Sequence, residues 1–249
     1  MTATGEDVAL RTYIESFDDG PGGWIGWTSN AAGPKRLEIR DSCAIEHSPW
    51  WIDYNHAPPG GGYLHLPFAL LTRPHSRDPD GYAHLAGPNR FIEKQFPTDF
   101  TNAKATLRLR GNLDLRGAQF LFHVQAKVGN VFVNHCLHAQ PFHVTSDWSE
   151  QSIRLVPDPA QWTPLRSRHD RTDFYGDADI SKVLRDVNNN IILVIYPLRV
   201  VPRRPVAFPH QLKAGEDYEV DRSQLPEGFI LLDEVRIEFN GYQACRRKL

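Results

Sequence analysis

Alternation of apolar and polar positions is the dominant signal along the chain. At 104–110, Ala105, Leu107 and Leu109 fall on one face, and Lys104, Thr106, Arg108 and Arg110 on the other. That period of two is the signature of a half-buried β-strand. Comparable alternating or short apolar runs occur at Tyr13–Phe17, Leu37–Arg40, Gly62–Phe68, Phe91–Phe96, Gln119–Val128, Asn130–Leu137, Gln151–Leu155, Asn190–Pro197 and Phe229–Phe239. Turn-forming residues bound each of them, as strands require. Gly129-Asn130 lies between two runs and predicts a tight hairpin. Helical periodicity is confined to one place: Ile180, Val183, Leu184 and Val187 keep the i, i+3, i+4, i+7 spacing, and Asn188–Asn190 end it.

About nine or ten strands with unequal loops predict an all-β protein, an antiparallel two-sheet β-sandwich. No repeat or linker divides residues 1–249, so a single domain with long loops is expected. The basic, Pro-rich stretch 202–209 is the one candidate boundary. Only a short segment follows it, and that segment ends in a strand needing a partner sheet.

Composition narrows the function classes. The 28 Lys and Arg residues against 30 Asp and Glu give a net charge of −2. A general electrostatic nucleic-acid binder is therefore not expected, because such binding needs a cationic face to release counterions. With 41 % hydrophobic residues, there is enough apolar side chain to offset ordering entropy. No apolar run reaches the length of about 18 residues that spans a bilayer, so no membrane partner is expected. Three scattered cysteines, Cys43, Cys136 and Cys245, do not form a disulfide framework or a four-cysteine zinc site. The acidic N-terminal segment does not read as a secretory signal. A cytoplasmic, reduced protein is the expectation, reversed to a secreted one if an export signal has been removed. Phosphate-loop, Rossmann and Gly-x-Ser-x-Gly patterns are missing, which argues against nucleotide or flavin chemistry.

Three segments concentrate polar and aromatic chemistry. The first contains His47, Trp50, Trp51, Asp53, Tyr54 and His56, followed by a glycine loop and His65. Sugars offer C–H faces to aromatic rings and hydroxyls to carboxylates, imidazoles and guanidinium groups. Alternation allows only one of Trp50 and Trp51 to face inward. The second segment follows Trp162 and contains Arg168, His169, Asp170, Arg171, Asp173 and Tyr175. Its alternating charge without apolar period predicts a loop, where a His beside Asp and Arg suits proton transfer. The third is a polar ladder, with His123, Gln125 and Lys127 on one face of their strand and Asn134 on the next. Dry burial of such a ladder is costly, so it is expected on an outer face or on the floor of a wet groove. His135 and His138 point to opposite faces of their strand, the wrong arrangement for two ligands of one metal.

Three further motifs carry a resemblance. Ser16-Phe17-Asp18-Asp19-Gly20 with Trp24 and Trp27 resembles the opening of many carbohydrate-binding modules. The segment from Phe142 through Thr145, Asp147 and Trp148 to Glu150 is similar to the turn leading into one of their late strands. Leu232-Asp233-Glu234-Val235-Arg236-Ile237 resembles their closing strand, which pairs with the opening one. The resemblance implies a galactose-binding-domain-like jelly roll that recognises a saccharide or glycoside. It also implies a structural calcium ion held by Glu15, Asp18 or Asp19, and Asp233. The alternative it leaves open is a carbohydrate-active enzyme. In a polysaccharide lyase, His123 or His169 would abstract the proton, Arg171 neutralise a carboxylate and Tyr175 protonate the leaving oxygen. In a glycoside hydrolase, Asp53 and Asp173 would flank the bond. A structural or assembly protein is the third class. Oligomeric state is not readable from the chain.

Overall fold

The computed structural model describes residues 12–29, 33–50, 52–53, 63–75, 79–80, 82–166, 175–199, 201–202, 218–219 and 222–239. Its strands are β1 (Thr12–Glu15), β2 (Trp24–Ser29), β3 (Gly33–Arg36), β4 (Glu38–Arg40), β5 (Cys43–His47), β6 (Ile52–Asp53), β7 (Tyr63–Leu71), β8 (Lys104–Asp114), β9 (Gln119–Val128), β10 (Val131–Leu137), β11 (Ser149–Arg154), β12 (Trp162–Pro164), β13 (Asn190–Leu198), β14 (Val201–Pro202), β15 (Tyr218–Glu219) and β16 (Glu227–Glu238). Among the described residues three short α-helices, α1 (Ala83–Ala86), α2 (Arg90–Glu93) and α3 (Ile180–Arg185), lie in the connections.

The smaller sheet runs β11-β8-β16-β5-β4, with β1 added along β16. The larger runs β12-β10-β9-β13-β7-β2-β3, with β6 added along β7. Both are antiparallel, so the chain is an all-β two-sheet sandwich, as its periodicity predicts. Strand β1 pairs β16 from Thr12–Glu238 to Glu15–Val235, joining the opening and closing strands.

The core follows from period two. Leu107 and Leu109 of β8 and Ile230, Leu232, Val235 and Ile237 of β16 face Phe120, Phe122, Val124 and Ala126 of β9. The larger sheet also carries a second apolar layer, with Leu121, Cys136, Ile192 and Val194 on the opposite face from that core. Strand β13 is thus buried on both faces, which is why its sequence is a continuous apolar run rather than an alternation.

Phe91–Phe96, expected as a strand, instead begins as the helical turn α2. The Asn89 side chain accepts the Ile92 N–H at 3.1 Å and donates to the Leu71 carbonyl at 3.0 Å, capping the turn and tethering it to β7. Phe91 and Phe96 pack with Tyr13, Phe100 and Phe239 as an aromatic cluster beside the β1–β16 pair. Their apolar spacing therefore serves a packed turn rather than a ladder.

Candidate functional site

The outer face of the smaller sheet holds a groove of about 530 Å³. Cross-strand pairing fixes its floor. One row runs Glu38–Ile45–Leu231–Arg110 across β4, β5, β16 and β8. The next row along the strands is His47–Phe229–Asn112. Directly paired residues share a face, so these seven side chains point the same way. With strands about 4.8 Å apart, Glu38 and Arg110 stand roughly 14 Å from each other across the floor.

Phe229 is 41 % exposed, one of three large apolar side chains so exposed among the described residues. Ile45 and Leu231 lie beside it, and Arg40, Gly111 and Ser146 complete the lining. His47 Nδ1 lies 3.0 Å from the Ser48 carbonyl, so Nδ1 carries the hydrogen and Nε2 is left for another partner. Arg40 pairs loosely with Glu38 at 3.7 Å. The Trp148 indole takes two guanidinium groups, with Arg108 and Arg110 each 4.7 Å from its ring centroid. Arg108 is also neutralised by Asp233, the extra residue where β16 shifts register against β8.

Of the residues expected to bind sugar, His47 reaches this face. Trp50 does not: it is buried in the core, with its ring 5.7 Å from that of His65, which is equally enclosed. Trp162 is a core residue too, its Nε1 donating to the Val156 carbonyl at 2.9 Å. Trp50 and His65 are thus enclosed, whereas Trp162 also lines a second groove together with His135, Asp177 and Asp179. Asp53 is placed by its backbone pairing with Leu64 on β6. Trp51, Tyr54, His56 and Arg168 lie outside the described residues.

Two of the expected catalytic residues, His123 and Tyr175, are among the described residues. His123 is fully buried on the outer face of the larger sheet, between Cys136 and Ile192. Tyr175 is buried where it bridges Phe132. His169, Asp170, Arg171 and Asp173 lie outside the described residues. The polar ladder does sit on an outer face, where Lys127 is exposed but His123, Gln125 and Asn134 are buried; Asn134 is 1 % exposed, and neither atom of its amide group has a hydrogen-bond partner among the described residues. Gln125, opposite Asn134, accepts from Asn190 Nδ2 at 3.0 Å. His135 and His138, the latter just past the end of β10, have separate partners: the Ala178 carbonyl at 3.1 Å and the Thr163 hydroxyl at 3.0 Å.

The residues proposed for calcium do not converge. Glu15 is fully buried on the inner face of β1, where it accepts from Arg90 at 2.6 Å and from the Phe17 N–H at 3.1 Å. Burial pushes its carboxyl above the usual carboxylate value, against the opposing pull of Arg90. Asp233 is on the opposite face of the same sheet, paired with Arg108, and Asp18 accepts from Ser16 at 2.7 Å. Asp19 lies 4.0 Å from Arg90. Among the described residues no group of three or more His, Cys, Asp or Glu side chains is placed to hold a metal ion. No described helix is long and apolar enough to cross a membrane.

The groove was missed in the sequence because its floor combines the neighbouring strands β4 and β5 with β8 and β16, which lie far from them and from each other in the chain. Phe229 and Arg110 carried the one available signal, falling on the outward positions of strong alternating runs. No family model matches the chain, and no curated protein matches it in sequence. Among solved structures it is similar to the L4b domain of human laminin alpha-2, at 8 % identity and a TM-score of 0.39, over 93 % of this chain and 99 % of that one. At that level the likeness carries no weight for function.

Proposed function

We propose that the chain recognises a saccharide or glycoside on the outer face of its smaller sheet. The observation that supports this reading is the exposed Phe229 ring on a groove floor that also presents His47, Asn112, Glu38, Arg40 and Arg110. An aromatic face suits the C–H surface of a pyranose, and the surrounding donors and acceptors suit its hydroxyls. Binding is favoured over hydrolysis at this site. Among the described residues Glu38 is the single carboxylate of the groove lining, and the carboxylate pair that glycoside hydrolysis uses is not found among them there.

The test is calorimetry against a panel of oligosaccharides, with each mixture followed by mass spectrometry for several hours. Phe229→Ala is expected to weaken binding at least about tenfold, the loss of one exposed stacking ring. Its melting temperature should stay near that of the parent, because the ring contributes little to the core. Unchanged affinity in Phe229→Ala would remove this groove as the site. Consumption of any panel member would replace the binding reading with an enzymatic one.

A further inference from the structure

We propose that the groove selects acidic saccharides, with the Arg110 guanidinium engaging a sugar carboxylate; this rests on the saccharide reading above. Two arginines share the Trp148 ring, but their states differ. Arg108 is neutralised by Asp233. Arg110 is exposed, lines the groove and has no carboxylate partner among the described residues. Stacking on indole holds a guanidinium plane in place while leaving its edge of N–H donors open. An arginine so held loses little further side-chain entropy when a planar anion docks on that edge. A carboxylate is the matching acceptor, because both of its oxygens meet two parallel N–H groups.

The rest of the floor favours the same charge. The ionisable groups lining the groove are Arg40, Arg110, His47 and Glu38. Glu38 is paired with Arg40, so Arg110 leaves the lining with one uncompensated positive charge. The chain as a whole carries −2, so this positive face is local rather than a consequence of overall composition. Phe229 stands in the row next to Arg110, one strand away on β16, within reach of the ring of the same sugar. A hexuronate presents both features at once, an apolar ring face and a carboxylate projecting from C5.

The experiment compares a uronic-acid oligosaccharide with its carboxyl-reduced neutral counterpart by calorimetry, at low and high salt. The parent is expected to bind the acidic probe at least about tenfold more tightly at low salt, as a charge-assisted pair implies. That preference should narrow as salt rises. Arg110→Gln should bring the two probes to near parity while leaving affinity for the neutral one within about twofold. Arg110→Lys, which keeps the charge but not the fork, should retain part of the preference. Circular dichroism and melting confirm that each variant is folded. Equal binding of both probes by the parent would overturn acid selection, an undiminished preference in Arg110→Gln would overturn the assignment of the carboxylate to Arg110, and either outcome leaves the saccharide reading standing. Failure of the parent to bind either probe would overturn both.

Discussion

Two buried side chains on β10 show how much one residue's surroundings decide. Asn134 has both amide atoms enclosed without a partner, a condition costing about 1–3 kcal/mol relative to solvated groups. Asn134→Leu, close in volume, is expected to leave stability unchanged or raise it by about 1 kcal/mol, read from urea denaturation. A loss of stability would show that the amide is satisfied in solution. His135 is different. Its Nε2 donates to the Ala178 carbonyl, and burial holds its pKa below the ordinary imidazole value of 6.5, partly offset by that bond and by Asp177 and Asp179. The unfolded chain then binds the proton more readily than the folded one. Stability from this residue is present above pH 6.5 and falls as pH drops through the window beneath it. The raised carboxyls of Glu15 and Glu46 have the opposite slope above 4.5, so the comparison must be with a variant. His135→Gln, which keeps a donor for Ala178, should lose less stability than the parent between pH 7 and 5 in melting experiments. At this scale the sequence identified polar side chains in alternating strands, but not their partners, which come from elsewhere in the chain.

Elements were more legible than sites. Gln119–Val128 forms over the span its alternation predicts, and Gly129 turns the hairpin with φ of 62°. Helix α3 starts where Asp179 caps the Ser181 N–H at 2.8 Å. Strands β2 and β5 were missed, because Trp24–Ser29 and Cys43–His47 are short and lack a clean period. The most constrained position within an element is Gly228, at the start of β16. Its φ is 136°, and a Cβ there would lie 1.9 Å from the Asn112 carbonyl oxygen of β8. Its N–H donates to Ser48 Oγ at 3.1 Å, and its carbonyl accepts the Ser48 N–H at 2.8 Å. Gly228→Ala should therefore destabilise by about 2 kcal/mol or more, through both conformation and collision. Because Phe229 is the next residue, the variant should also weaken saccharide binding. Parent-like denaturation would mean that β8 and β16 can part locally without cost.

For the whole molecule, β16 is the organising strand, since it pairs β8 along most of its length, β5 at one end and β1 at the other. Removing residues 1–16 would uncover Val235 and Ile237. It would also delete the bond from Trp24 Nε1 to the Tyr13 hydroxyl at 2.9 Å and leave Arg90 without Glu15. The expected result is a melting temperature lower by about 10 °C or more, since each kcal/mol corresponds to a few degrees at this size. An unchanged melting temperature would make β1 an accessory strand. The sequence by itself determined the fold class and most strand positions, because period two and turn residues are local properties that a chain carries wherever it folds. Only the tertiary structure decided which aromatic and charged side chains meet. The groove is built from residues 38–47, 110–112, 146 and 229–231, brought together by strand order and register. Register also enclosed His65 on β7 and left Phe229 and Arg110 facing outward, since a strand's side chains change faces with every residue and pairing alone fixes which face is enclosed.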